Sequence, residues 1–138
     1  MRRTRYVLTA RAAADLREAR AWSRARWGKE LTSIYFDDLH EGAQFIAENQ
    51  TALRGRQELS GGTSSLLYPV REHYIVYEPL AERFIAIVAV IRQGRDVPAI
   101  LQKWSAPIRR ELLEIRAKIK RGEINWPAPP AAKPRRKK

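Results

Sequence analysis

The chain has 138 residues, with 27 lysines and arginines against 15 aspartates and glutamates, which gives a formal charge of +12. This length predicts one domain, and the charge favours an anionic partner such as nucleic acid, an acidic protein or a membrane surface. The chain has no cysteine, which excludes disulfides, thiolate catalysis and cysteine zinc sites and fits a reducing cytoplasm. Because it has two histidines and no run of about 18 apolar residues, we expect no metal, no cofactor and no membrane span.

The first part of the chain predicts a strand followed by two helices. The segment "RYVL" (5–8) is rich in β-formers, and Thr9 after it can cap a helix. Apolar residues then recur at helical spacing to about residue 48, with a break at Gly28, so we expect an antiparallel helical hairpin. The predicted inward positions are Ala12, Leu16, Ala19 and Trp22 on the first helix, and Leu31, Tyr35, Leu39, Gly42, Phe45 and Ile46 on the second.

A polar loop over 49–65, which includes Arg54 and Arg56, leads into a predicted three-strand meander. The first turn of the meander is placed at Arg71 and Glu72, and "EPLAE" is expected to turn the chain a second time. The strands are predicted at 66–70, 72–78 and 83–91.

The last of these strands, "RFIAIVAVI", is apolar throughout, which is typical of a strand covered on both faces. Strict alternation places Ile85, Ile87, Ala89 and Ile91 on one face. The helical hairpin can cover one side of the strand. The other side needs a C-terminal helix, a second copy of the chain or another protein.

The composition changes after residue 104. Asp96 can cap the stretch "VPAIL", and Ser105 is a plausible cap for a separate amphipathic helix. The predicted organisation is a domain at 1–104, a helix at 105–122 and a disordered basic tail at 123–138 that could contact nucleic acid. The predicted fold class is α+β: an N-terminal strand and a helical hairpin on a small, mainly antiparallel sheet (β-α-α-β-β-β), plus the C-terminal helix.

With these elements in order, the sequence resembles the RelE/ParE superfamily of bacterial toxins, and more closely its ParE, or plasmid-stabilisation, branch. The resemblance implies a toxin neutralised by a cognate antitoxin, and the charge of +12 favours an acidic one. The ParE branch implies DNA gyrase as target, and the RelE branch implies ribosome-dependent mRNA cleavage. The matching segments, over about residues 5 to 101, are "YVLTARAAADLREARAW", "WGKELTSIYFDDL", "YPVREHYIVYE" and "VIRQGRDVPAIL".

The sequence departs from the family pattern in three places. Leu66 and Leu67 stand where the family often has an arginine, and Arg92 stands where it often has a histidine. The family usually ends near Trp104, so the final helix and tail are additions.

Metal-free RNA cleavage needs a base, an acid and cations for the phosphate. His73 and Tyr77 could be the base and acid, with Arg92 and Arg95 as cations. However, the sequence has no lysine between Lys29 and Lys103, and arginine is a poor proton carrier. A lone histidine at a strand start is also more often a hydrogen-bonded sheet residue than a catalyst.

We therefore predict a toxin that acts by binding, with DNA gyrase as the preferred target and no membrane partner. The residues predicted to meet the target or antitoxin are Arg92, Arg95, Ile85, Ile87 and Ile91. One alternative is a RelE-like ribosome-dependent mRNA endoribonuclease. Another is a non-toxic nucleic-acid- or protein-binding module on the same fold.

Overall fold

The computed structural model describes residues 5–49, 65–81 and 83–123. The expected loop over 49–65, with Arg54 and Arg56, and the expected tail at 123–138 lie almost wholly outside these residues. The predicted α+β class and element order are confirmed. The elements are β1 (Tyr6–Leu8), α1 (Ala10–Glu48), β2 (Leu66–Val70), β3 (His73–Ala81), β4 (Phe84–Arg92) and α2 (Val97–Lys120).

The long helical segment α1 is a hairpin with two arms, residues 10–27 and 29–48. Gly28 between them has φ 87° and ψ 173°, a left-handed conformation that glycine adopts without the steric cost of a Cβ. The arms run antiparallel, since the Arg20 guanidinium lies 4.4 Å from the ring centroid of Phe36 and Ala12 shares a core cluster with Ala43. The predicted helical hairpin is confirmed.

The inward face of the second arm differs from the predicted one. Tyr35, Leu39 and Ile46 are buried as expected, but Leu31 and Phe45 are 56% and 47% exposed. The reason is that smaller residues occupy the buried positions beside the first arm and the sheet, and these are Thr32, Ala43 and Ala47. On the first arm, Ala12 is fully buried, whereas Leu16, Ala19 and Trp22 are half-buried.

The sheet has the strand order β1-β4-β3-β2, with β1 parallel to β4 and the other pairs antiparallel. The turn at Arg71–Glu72 is confirmed, and Arg71 has a φ of 57°. The turn expected in "EPLAE" is wrong, because β3 stays paired with β4 as far as Ala81. The reversal comes later, at Arg83, whose φ is 64°.

Strand β4 is covered on both faces, as its apolar sequence predicts. A bulge breaks its alternation, since Val76 pairs with Ala89 and Tyr77 with Ile87, which leaves Val88 as an extra residue. The face towards α1 carries Ile85, Ile87 and Val90, and the face towards α2 carries Ala86, Val88, Ala89 and Ile91. The expectation that Ala89 and Ile91 share a face with Ile85 and Ile87 is therefore wrong.

Helix α2 covers the second face of the sheet, with Val97, Leu101, Ile108 and Leu112 in the core. It begins at Val97, because Asp96 caps it by accepting a hydrogen bond from the Ala99 amide at 3.3 Å. The predicted cap at Ser105 is wrong, since its hydroxyl lies inside α2 and donates to the Gln102 carbonyl. Within the described ranges, no helix is both long and apolar enough to span a bilayer.

Candidate functional site: an arginine-lined cleft

The charged corner after β4 is a tight connection between the central strand and α2. The Arg95 amide donates to the Arg92 carbonyl at 3.1 Å, and the Gln93 amide donates to the Glu72 carbonyl at 2.9 Å. The first bond closes the corner itself, and the second ties it to the turn between β2 and β3. Asp96, next along the chain, has its side chain engaged as the cap of α2, so Arg92 and Arg95 are left on the surface.

Arg92 is held in place by an aromatic ring rather than by a carboxylate. Its guanidinium carbon lies 4.6 Å from the ring centroid of Trp22, on the first arm of α1. Within the described residues, neither Arg92 nor Arg95 forms an ion pair, whereas Arg71 pairs with Asp38 at 2.9 Å. The two arginines of the corner are therefore charges that no described carboxylate neutralises.

His73 lies opposite Arg92 in the β3–β4 ladder and is only 3% exposed. Its Nδ1 is 2.5 Å from the Tyr35 hydroxyl, which also accepts a hydrogen bond from the Glu72 amide at 3.1 Å. Burial, and to a lesser extent the positive charge of Arg92, lowers the pKa of His73 below its ordinary value of 6.5. His73 is thus a buried, hydrogen-bonded and predominantly neutral residue of the sheet near pH 7.

Tyr77, the other candidate for proton transfer, is 1% exposed and belongs to the core cluster between the sheet and α1. Burial raises the pKa of its hydroxyl above the ordinary value of 10. A phenol that is shielded from solvent and harder to ionise is poorly suited to protonate or deprotonate a bound RNA. Of the predicted acid–base pair, only His73 therefore borders the arginines, and Tyr77 lies in the core, so the two do not form an open acid–base site.

A cleft of about 220 Å³ opens between the first arm of α1, the end of β4 and the start of α2. It brings together the two predicted arginines, Arg92 and Arg95, with His73. Its remaining lining residues are Arg11, Asp15, Glu18, Ala19, Trp22, Val90, Ile91 and Ile100.

Asp15 is a buried residue of this cleft that sequence reasoning missed. It is 7% exposed and accepts a hydrogen bond from the Val90 amide at 3.0 Å, and Arg11 pairs with it at 3.1 Å. Because β1 ends at Leu8, this carboxylate replaces the strand partner that β4 lacks at Val90. Burial raises the pKa of Asp15, although the Val90 amide and Arg11 act in the opposite direction. Its signal in the sequence is weak, namely an acidic residue one position before the apolar Leu16.

The predicted apolar contact residues lie in the interior of the chain. Ile85, Ile87 and Ile91 are 0%, 3% and 4% exposed. The first two are covered by α1, and Ile91 is covered by α2. A partner would reach these side chains only if one of the two helical layers moved away.

The amino-acid sequence matches the family model described as the ParE toxin of the type II toxin–antitoxin system, parDE, over residues 6–97. The match covers β1, both arms of α1 and the whole meander, and it stops where α2 begins. The chain belongs to this ParE toxin family. It is therefore a toxin of a type II toxin–antitoxin system, and a cognate antitoxin is its partner.

Two similar proteins agree with this family assignment. The protein named Toxin ParE from Escherichia coli is 28% identical over 94 residues, which is 68% of this chain and 89% of the relative. The solved structure titled Chromosomal ParDE TA system from P. aeruginosa matches with a TM-score of 0.54 at 18% identity, over 63% of this chain and 92% of that one. At this identity the structural likeness supports the fold. Most of α2 lies outside the family match, which ends at residue 97.

Proposed function

We propose that this ParE-family toxin acts by binding DNA gyrase and inhibiting it, and that an acidic antitoxin neutralises the toxin. The family assignment supports a toxin with an antitoxin partner. Gyrase as the target follows from the resemblance to the ParE branch. The charge of +12 supports an acidic partner, because opposite net charges accelerate encounter and favour that partner over neutral ones.

The observation that carries this proposal is the burial of the two side chains that could transfer protons. His73 has Nδ1 engaged by Tyr35, and Tyr77 is enclosed between the sheet and α1. The exposed cations at the corner are Arg92 and Arg95, and arginine binds anions but stays protonated. Such a surface is suited to binding another macromolecule rather than to cleaving RNA.

The test compares two reactions with the same purified toxin. We expect it to inhibit supercoiling of relaxed plasmid by DNA gyrase, and to leave mRNA intact on translating ribosomes. Adding the antitoxin should restore supercoiling. Tyr77→Phe serves as a control, since it should leave gyrase inhibition unchanged when the variant is as well folded as the wild type.

Cleavage of mRNA that depends on ribosomes and disappears in the His73→Gln or Tyr77→Phe variant would contradict the proposal in favour of an endoribonuclease. A third result points to a non-toxic binding module: the toxin inhibits neither reaction, although it still binds its antitoxin. In each case the folded state is checked by circular dichroism, because both side chains are buried.

A further inference from the structure

We propose that the cleft between the first arm of α1, the end of β4 and the start of α2 is a carboxylate pocket that receives one Asp or Glu side chain of the antitoxin. This inference rests on the proposed function, because it takes an acidic antitoxin as the partner. It adds the place of contact, the chemical group recognised and the residues that recognise it.

The guanidinium groups of Arg92 and Arg95 are the first two donors of this pocket. The Arg92 guanidinium lies over the Trp22 ring, and a guanidinium held on an aromatic face in this way can still donate hydrogen bonds from its N–H groups. Both guanidiniums lack an ion pair within the described part of the chain, as shown above. A carboxylate placed between them would supply the missing negative charge.

We assign His73 as the third donor, in the neutral tautomer that carries its proton on Nε2. The Tyr35 oxygen accepts from the Glu72 amide and lies 2.5 Å from Nδ1 of His73, and the pocket requires the arrangement in which the Tyr35 hydroxyl donates its proton to this nitrogen. A neutral imidazole that accepts at Nδ1 carries its proton on Nε2. His73 borders the cleft, and in this tautomer Nε2 is the ring nitrogen with a proton to donate to a ligand there.

The charge of the lining favours a single carboxylate over a nucleic-acid backbone. Three arginines and two carboxylates border the cleft, namely Arg11, Arg92 and Arg95 against Asp15 and Glu18, so the formal excess is one positive charge. Arg11 is moreover already engaged, because it pairs with Asp15 and stacks on Trp104 at 4.6 Å. A run of phosphates would place further negative charges beside Asp15 and Glu18, whereas one carboxylate neutralises the excess.

The size and the apolar walls of the cleft agree with a protein side chain. Its volume of about 220 Å³ is below the roughly 300–1,000 Å³ that is typical of small-molecule sites. Ala19, Ile91 and Ile100 line it beside the charged groups. This mixture suits the methylene stem of a Glu or Asp and an apolar neighbour in the same peptide segment.

The experiment is a set of double-mutant cycles between the full-length toxin and its antitoxin, measured by isothermal titration calorimetry. The toxin variants are Arg92→Gln, Arg95→Gln and Arg92→Lys, and the antitoxin variants change each Asp or Glu in turn to Asn or Gln. Arg110→Gln is the matched control, because it removes the same charge from an exposed position of α2 outside the cleft. A short DNA duplex is titrated into the same toxin variants.

We expect Arg92→Gln and Arg95→Gln to weaken antitoxin binding about 10- to 100-fold, with Arg92→Lys in between and Arg110→Gln close to wild type. One acidic residue of the antitoxin should account for this loss: in its amide variant, the arginine substitutions should have little further effect. The ¹⁵N signal of His73 Nε2 should move on binding of the antitoxin, and should move less with that amide variant.

If the antitoxin binds all toxin variants with equal affinity, or if no acidic residue of the antitoxin shows a coupling energy with Arg92 or Arg95, the proposed pocket is wrong. The proposed function would still stand. If the arginine variants weaken binding of the DNA duplex but not of the antitoxin, the cleft is a nucleic-acid site, and the proposed carboxylate pocket is wrong. Antitoxin that fails to bind the unaltered, folded toxin overturns both the pocket and the proposed neutralisation.

Discussion

The Tyr35 hydroxyl lies 2.5 Å from Nδ1 of His73 and joins the second arm of α1 to the start of β3. The same hydroxyl accepts a hydrogen bond from the Glu72 amide. One side chain thus satisfies two polar groups beside the β2–β3 turn, the Glu72 amide and the His73 ring nitrogen. The Arg71 guanidinium lies 5.4 Å from the centroid of the Tyr35 ring, and this ring also contacts Trp27 in a tilted arrangement. Tyr35 therefore ties the helical hairpin to the strand end that borders the arginine cleft.

Removing this hydroxyl should destabilise the toxin. Tyr35→Phe leaves the Glu72 amide without its acceptor and His73 Nδ1 without a partner, and leaving buried polar groups unsatisfied costs about 1–3 kcal/mol. Tyr74→Phe is the control, because its hydroxyl makes no hydrogen bond within the described residues. Urea denaturation of both variants checks the difference. Equal stabilities of the two variants would contradict the inferred role of Tyr35.

The titration of His73 should differ from that of an exposed histidine. Its pKa is lowered by burial and by Arg92, so the folded state binds its proton less readily than the unfolded state does. The contribution of His73 to stability is therefore complete above the unfolded value of 6.5, and it is lost as the pH falls through the lower folded pKa.

Arg92→Gln should raise the pKa of His73 part of the way towards 6.5, because it removes one of the two causes of the lowered value. NMR titration of the imidazole signals measures this directly, with Arg110→Gln as a charge-matched control. An unchanged His73 pKa in Arg92→Gln would mean that burial alone sets it.

Much of the fold could be predicted from the sequence because its signals are local. Gly28 interrupts a helical repeat, "LLYPV" and "HYIVY" carry β-formers around a turn, and β4 is apolar at every position between Phe84 and Ile91. The errors arise where tertiary contacts override a local rule. The bulge at Val88 shifts Ile91 to the other face, and the pairing of β3 with β4 as far as Ala81 overrides the turn signal of Pro79.

The site was predictable only in part, since it depends on contacts between distant segments. Arg92 and Arg95 could be found because they follow an apolar strand directly. Asp15 lies 75 positions before Val90, whose amide donates a hydrogen bond to it, and Trp22 lies 70 positions before Arg92, which packs over its ring. No periodicity or motif in the sequence predicts contacts between residues so far apart. His73 was expected to be a hydrogen-bonded sheet residue, and its contact with Tyr35 confirms this.

Asp15 should matter to stability as an acceptor more than as a charge. Asp15→Ala removes the only side chain shown to accept from the Val90 amide, at a cost of about 1–3 kcal/mol. Asp15→Asn keeps an oxygen for this amide and avoids the desolvation that raises the pKa of the carboxyl, so it should cost less. Thermal unfolding of both variants at neutral pH tests this order, and a greater loss for Asn than for Ala would reverse the assignment.

Close packing between α1 and β2 should make Gly42 intolerant of a side chain. A Cβ at this position would lie 2.8 Å from Cγ2 of Val70, which is a short and branched side chain with little freedom to move. Overpacking of this kind costs typically about 1–3 kcal/mol. Gly94→Ala is the control, since its Cβ would meet no atom within 4 Å. The contact would be disproved if Gly42→Ala and Gly94→Ala had the same melting temperature.

The C-terminal helix should be required for a folded toxin, although the family match ends at its start. The sequence divides the chain after Trp104, but α2 runs through this position, and Ile108 and Leu112 beyond it cover the sheet. A chain that ends at residue 104 would lose both side chains, each worth about 1.5–3 kcal/mol of burial, and would expose Val76 and Val88. It would also lose Glu111, whose carboxylate accepts from the Ala10 amide at 2.8 Å in the first turn of α1. Against a total stability of roughly 5–15 kcal/mol for a domain, we expect this shortened chain to aggregate or unfold.

A chain that ends at Glu123 keeps every contact described above and should melt like the full-length toxin. Size-exclusion chromatography and circular dichroism compare the three chains, and a monomeric, cooperatively melting chain of residues 1–104 would show that α2 is dispensable for the fold.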